Sequence, residues 1–173
     1  MIINERDIRH AHVLEVAKQI MTAARTAPKA KGIDIVETIC ITGEEIKKLS
    51  EKMQDIAREK DYKFFLRDAE NILKAEVIIL IGTRVQEQGL DCGHCGFPTC
   101  NSKPKATPCA INSVDVGIAI GSACSAAADH RIDSRVMFSA GLAAQRLGWP
   151  ESCQTVFAIP LSASSKNPFF DRK

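Results

Sequence analysis

Four of the seven cysteines lie in one short stretch of the chain, and their spacing is the most informative feature of the sequence. The spacing is C-x2-C-x4-C-x8-C, and the Gly and Pro residues between the thiols let the backbone wrap closely around a bound group. Thiolates are soft ligands that select an iron–sulfur cluster or zinc. The sequence therefore predicts a metal centre held by Cys92, Cys95, Cys100 and Cys109.

Two kinds of metal centre are compatible with this ligand set. Structural zinc usually takes two C-x2-C pairs, one from each side of a loop, whereas this stretch has one such pair and two wider spacings. We therefore interpret the stretch as the ligand set of a four-iron (4Fe–4S) cluster, with zinc as the alternative metal. Cys124 is a rival for the fourth position, although a thiol in an apolar helix is more often structural.

Residues beside the cysteines could tune such a centre. Gly93 and Gly96 each follow a cysteine, which brings backbone amides close to the ligand sulfurs, where hydrogen bonds to sulfur affect the reduction potential. Lys103 and Lys105 add positive charge nearby, and the alternative is that they only keep the loop soluble. No Ser-His-Asp, Cys-His or His-Glu-x-x-His arrangement is present, so no catalytic residue is assigned.

Length and composition bound the class of protein. The chain has 173 residues, 45% of them hydrophobic and 25% charged, which fits one domain with a substantial core. A net charge of +2 gives no reason to expect nucleic acid as a partner. The longest aliphatic run, over 77–81, is too short to span a bilayer, and the charged N-terminus lacks a secretory signal. We therefore expect a cytoplasmic protein without a membrane partner, in which cysteines favour ligation over disulfides.

Hydrophobic spacing predicts the elements that must position the cysteines. Apolar residues at helical spacing predict a helix over 6–25, and the capping-box pattern from Thr42 to Glu45 predicts the start of another. An aliphatic run over 76–81 predicts a strand buried on both faces, directly before the cysteine stretch. Small residues over 112–130 predict a long helix after it. Further predictions are helices over 64–73 and 139–147 and strands over 35–41, 135–138 and 155–160. This mixture without strict β-α-β alternation favours an α+β fold.

The cysteine stretch resembles the motif Cys-x-x-Cys-Gly-aromatic-Pro-x-Cys of the small four-iron domains in corrinoid iron–sulfur proteins and Rnf-type electron-transport subunits. The matching residues are Cys92, Cys95, Gly96, Phe97, Pro98 and Cys100. In those domains the fourth ligand normally lies farther downstream, so the choice between Cys109 and Cys124 stays open. The resemblance implies a 4Fe–4S cluster that passes single electrons.

The order of the other segments resembles the flavin-dependent nitroreductases. Residues 23–32 and 43–49 look like the turn after that family's first helix and its next capped helix, and residues 115–130 look like its long central helix. Leu147-Gly148-Trp149-Pro150 resembles its Leu-Gly-x-Pro turn. The resemblance implies a nitroreductase-like, three-layer fold with a mixed sheet flanked by helices. We predict one such domain over 1–173, with an inserted cysteine-rich, ferredoxin-type segment at about 83–110.

A basic turn is the candidate site for FMN. Arg25, Lys29 and Lys31 could hold a phosphate or carboxylate, and Arg172 resembles the terminal arginine that contacts the flavin phosphate in nitroreductases. The alternative for the turn is that its cations complement the dipole of the preceding helix. As a whole, the chain resembles a family of prokaryotic ferredoxin-domain proteins of unassigned function with a nitroreductase-like scaffold.

These observations predict an iron–sulfur oxidoreductase or electron-transfer protein. One hypothesis, which the nitroreductase resemblance implies, is an FMN-dependent, nitroreductase-like oxidoreductase that forms a homodimer with flavin at the interface. In the alternative form it is a carrier or docking module that has a cluster, has no flavin and serves a redox partner protein. A third reading is a zinc-stabilised binding protein.

Overall fold

A four-stranded sheet with helices on both faces forms the centre of the protein. The computed structural model describes residues 1–171. The strands run in the order β1-β2-β4-β3, and all described pairings are antiparallel. The strands are β1 (Val36–Ile41), β2 (Val77–Arg84), β3 (Asp133–Ser134) and β4 (Cys153–Ser162). The helices are α1 (Glu5–Thr26), α2 (Glu44–Lys60), α3 (Lys63–Ile72), α4 (Ala110–Asp129) and α5 (Phe138–Arg146).

The central strand β2 divides its side chains between two hydrophobic cores. Val77, Ile79 and Ile81 belong to the first core, and Ile78 and Leu80 to the second. All five are 0% exposed. Successive side chains of a strand point to opposite faces, so a strand covered on both sides needs an unbroken apolar run. The aliphatic run in the sequence therefore predicts this strand correctly.

The helices form one layer on each face of the sheet. Helices α1 and α4 pack against each other in the first core, while α2, α3 and α5 build the second. The expected α+β, three-layer architecture is confirmed. The sheet is antiparallel rather than mixed. After β1 the chain passes through α2 and α3, which pack together, and β2 then starts beside the end of β1, so the two strands run in opposite directions.

Local structure differs from the prediction at two places. The cap of α2 is Gly43, with φ 56°, and no side chain caps this helix. The predicted capping box at Thr42 is therefore wrong, because the helix starts one residue later than that pattern requires. The strand predicted over 135–138 is also wrong. The pairing residues are those of β3, Met137 makes a single bridge to Ala158, and α5 begins directly afterwards.

Helix α4 has an unusual outward face. By length and composition alone it is the one helix within residues 1–171 that could cross a membrane, although the core helix of a soluble protein meets the same criteria. Its inward side supplies buried residues to the first core. Val114 and Ile118 are 56% and 40% exposed on the other side, with exposed Gly117 and Gly121 beside them. Helix α4 therefore presents an apolar face made partly of small residues.

Candidate metal centre

The cysteine loop joins the end of β2 to the start of α4 without entering either core. Both hydrophobic cores lack residues between Ile81 and Val116 within the described chain. The loop is therefore held by backbone turns and polar contacts rather than by apolar packing. Those contacts decide where the thiols lie.

All four predicted ligands line one pocket in this loop. The pocket has a volume of about 330 Å³, part of it open to solvent, and Cys92, Cys95, Cys100 and Cys109 all contribute to its wall. Cys92 is exposed, the next two are half-buried and Cys109 is buried; all four are free thiols. The fold thus brings together three thiols from the loop and one from the start of a helix.

The donor set fits an iron–sulfur cluster. Four free cysteines around one pocket supply the ligand number and type that such clusters would use. Within residues 1–171, no three His, Cys, Asp or Glu side chains are close enough together to hold a single metal ion. The four thiols therefore line one pocket but are farther apart than the ligands of a single metal ion.

Turns with left-handed backbone shape the loop around the pocket. Gly93 and Gly96 have φ values of 71° and 85°, a region that glycine adopts without the steric cost of a Cβ atom. The amide of Gly96 donates to the carbonyl of Gly93 (2.9 Å), so in this structure it closes a turn instead of facing a sulfur. The carboxylate of Asp91 accepts from the amide of Cys100 (2.6 Å), which links the residue before the first cysteine to the third cysteine.

The fourth thiol, that of Cys109, lies at the start of α4. Cys109 is the residue that caps this helix, where the unpaired amides and the helix dipole favour negative charge. Cys124 lies fifteen residues farther along the same helix, about 22 Å away at the α-helical rise. It packs against the first core, and burial raises the pKa of its thiol. The structure therefore groups Cys109, and not Cys124, with the three loop cysteines.

Buried polar side chains of α4, which the sequence analysis missed, anchor the first part of the loop. Asn112 is 0% exposed and its amide donates to the carbonyl of Gln86. Asp115 is 3% exposed; both of its carboxylate oxygens accept from the amide of Ala30 (3.1 Å), and one also accepts from the side chain of Gln88 (3.4 Å). The available signal was two polar residues three apart at the start of an otherwise apolar helix.

Lys103 is the second anchor, and it lines the pocket together with the cysteines. Its side chain is only 4% exposed, whereas Lys105 is exposed. The ammonium donates to the carbonyls of Thr107 (2.6 Å) and Pro104 (3.2 Å) and pairs with a carboxylate oxygen of Glu87 (3.2 Å). The hydrogen bond from this lysine lowers the pKa of Glu87. Of the two lysines considered in the sequence, Lys103 is therefore the one that belongs to the pocket.

The cations of the basic turn are engaged within the chain. Arg25 donates to the carboxylate of Asp34 (2.6 Å) and to a carbonyl of β1 (2.7 Å). Lys29 donates to three carbonyls at the end of α1, and burial lowers its pKa. Lys31 donates to the carbonyl of Gln88 (3.2 Å). As they stand, these residues do not fit a phosphate grip. The contacts of Lys29 are those of a cation at a helix C-terminus.

The last predicted flavin contact, Arg172, lies outside the described residues. The residue before it, Asp171, lies against α3: its carbonyl accepts from the side chain of Asn71 (3.3 Å), and its carboxylate pairs with Lys74 (3.2 Å). Helix α3 covers the face of the sheet opposite α1. A flavin site made from these residues therefore stays a prediction.

Comparison with known sequences gives the family. The sequence profile of a family described as uncharacterized proteins containing a ferredoxin domain matches residues 105–172, a span that includes Cys109 and all of α4. A protein of Archaeoglobus fulgidus, described as uncharacterized, is 40% identical over 182 aligned positions, which cover 99% of this chain and 98% of that protein. The chain belongs to this ferredoxin-domain family. The predicted resemblance to a ferredoxin-domain family of unassigned function is thereby confirmed.

Solved structures show the fold of this family member. A nitroreductase of Desulfitobacterium hafniense with bound FMN aligns with a TM-score of 0.61 at 18% identity, covering 88% of this chain and 78% of that one. A nitroreductase of Bacteroides fragilis with bound FMN gives 0.62 at 14% identity, covering 92% and 81%. An NADPH:FMN oxidoreductase of Vibrio harveyi in complex with NAD+ gives 0.55 at 16% identity, covering 92% and 63%. The predicted nitroreductase-like fold is confirmed, and FMN is a property of those three proteins.

Proposed function

We propose that this protein transfers electrons through one 4Fe–4S cluster bound by Cys92, Cys95, Cys100 and Cys109. The observation that carries the proposal is that four free cysteines, three from the loop and one from the start of α4, line one pocket. Membership of a ferredoxin-domain family supports a redox role. When bound, such a cluster supplies one-electron chemistry at a potential set by its surroundings.

The residues of the chain would position the cluster and control access to it. Asp91 holds the amide of Cys100, and the start of α4 offers a favourable place for an anionic group beside Cys109. Cys92 and the glycine that follows it are exposed, so a redox partner protein can approach this side of the pocket. The arrangement thus combines four thiols around one pocket with one side that is accessible to a partner.

Of the two redox hypotheses, the carrier or docking module without flavin is the better supported. Arg25, Lys29 and Lys31 each donate to a carbonyl or carboxylate of the chain itself. The FMN-dependent oxidoreductase remains the second candidate, because three similarly folded proteins are described as flavin proteins.

We also propose a cytoplasmic homodimer that packs through α4. The outward face of this helix is apolar, and its exposed Gly117 and Gly121 would allow another helix to approach closely. Light scattering on the size-fractionated protein measures the mass directly. A monomer at micromolar concentration would contradict the dimer without affecting the proposed cluster.

The deciding experiment is the anaerobic purification of the full chain, followed by absorption spectroscopy and assays of iron, sulfide, zinc and flavin on one sample. We expect broad near-visible absorption with iron and sulfide in about equal amounts, as a 4Fe–4S composition requires. Stoichiometric flavin beside the cluster would select the second candidate. A colourless protein containing zinc would refute the proposed redox function.

A further inference from the structure

We propose that Lys103 is a positioning residue that raises the reduction potential of the cluster by holding a fixed positive charge in its pocket. This inference rests on the function proposed above. It concerns a charge in the wall of the pocket, and no ligand role is assigned to the lysine.

Lys103 is buried in the wall of the pocket. Lysine side chains are almost never fully buried unless they are paired, because the ammonium loses its hydration. The side chain of Lys103 is 4% exposed and lines the same pocket as the four cysteines. A cation in such surroundings acts on nearby charges more strongly than one in water.

The three partners of the ammonium fix its position. Its three N–H donors match three acceptors: the carbonyls of Thr107 and Pro104 and the carboxylate of Glu87. Two of these acceptors lie between Cys100 and Cys109. The same contacts therefore fold the linker that brings the fourth thiol into the pocket.

The ion pair leaves part of the positive charge uncancelled inside the pocket. Glu87 lines the same pocket, but its side chain is 38% exposed, whereas that of Lys103 is 4% exposed. Solvent screens the field of an exposed carboxylate more effectively than that of a buried ammonium. Within the pocket, the cation therefore has the larger effect.

A fixed cation changes the energy of reduction in a known direction. Reduction adds one electron from a low-potential donor, forms or breaks no covalent bond, and makes the thiolate-bound group more negative. The charge of Lys103 stabilises this more negative state more than the oxidised one. The potential must then fall when the positive charge is removed, and it must rise when the opposing charge of Glu87 is removed.

The test compares midpoint potentials of the full-length, cluster-loaded protein by dithionite titration followed by absorption. We expect Lys103→Met to shift the potential to a more negative value, Glu87→Gln to shift it to a more positive value, and Lys103→Arg to stay nearer the wild type. Lys105→Met is the matched control, because Lys105 is an exposed cation of the same linker, and it should leave the potential unchanged.

Two results would overturn the inference while leaving the proposed function intact. One is a wild-type potential in loaded Lys103→Met; the other is an unchanged or lowered potential in Glu87→Gln. If Lys103→Met cannot hold the cluster, Lys103→Gln takes its place, because its amide can still donate to the carbonyls of Thr107 and Pro104 without carrying the charge. Failure of both variants to hold the cluster would make Lys103 a structural residue and also overturn the inference. A wild-type protein without iron and sulfide, by contrast, would refute the proposed function itself, and this inference with it.

Discussion

The choice of the fourth ligand gives the most discriminating test of the site. Replacing Cys109 by Ser removes the thiol at the start of α4 while keeping its size, and Cys124→Ser does the same on the same helix. The two positions are about 22 Å apart along α4. No side chain spans that distance, so only one of the two can share a cluster with the three loop cysteines.

The expected effects differ by at least one order of magnitude. Changes to residues that merely support a metal ligand lower metal affinity roughly 10–100-fold, and loss of a ligand should cost at least as much. We therefore expect Cys109→Ser to lose iron to a chelator at least about tenfold faster than the wild type. Cys124→Ser should release iron at the wild-type rate, because its thiol packs against the first core.

The assay follows iron release to a coloured chelator under anaerobic conditions, with unfolding measured on the same variants. Both substitutions place a hydroxyl where a thiol was, so each reports on the other as a matched control. Rapid iron loss from Cys124→Ser together with retention by Cys109→Ser would refute the assignment. Equal retention by both variants would exclude Cys109 from the ligand set.

Three further predictions concern stability, each measured by urea unfolding. Gly141→Ala should destabilise the protein by about 3 kcal/mol, since a Cβ would lie 2.1 Å from a backbone oxygen of β4; an unchanged free energy of unfolding would contradict this. Burial raises the pKa of Cys153 from 9.0 to about 11. The thiol of the unfolded chain loses its proton at lower pH than that of the folded protein, so the free energy of unfolding should decrease as the pH rises from 9 to 11. Cys153→Ala should show a smaller decrease over this pH range; the same decrease as in the wild type would contradict the prediction. Asp115→Ala should cost about 1–3 kcal/mol by leaving buried donors unpaired, whereas exposed Asp129→Ala should cost little; equal losses would show that the anchor is not stabilising.

The parts of the fold that rest on repeating patterns could be predicted from the sequence. The aliphatic run of β2 and the apolar stripe of α1 each follow from burial at a fixed spacing, and both elements are found where they were predicted. The start of α2 was predicted wrongly, because the positive φ of Gly43 depends on how the chain leaves β1. Local patterns do not contain that information.

The four cysteines that share the pocket could be predicted from the sequence, but the other walls of the pocket could not. Cysteine spacing is a local signal, and it selected the four thiols that line the pocket. The roles of Asn112 and Asp115 depend on contacts with residues 26 to 85 positions away along the chain. For Arg25 and Lys29, the basic turn was compatible with a phosphate site or with contacts to the helix end, and only the three-dimensional partners show that both side chains donate to groups of the chain.

The separation of the cysteine loop from both cores bears on the order of folding and cofactor binding. Zinc fingers fold only when metal arrives, because their core is too small without it. Here the two cores lie on either side of a complete sheet and use no described residue between Ile81 and Val116. We therefore expect the polypeptide to fold without the proposed cluster and to bind it afterwards. Loss of the proposed cluster by oxidation should then leave a folded protein.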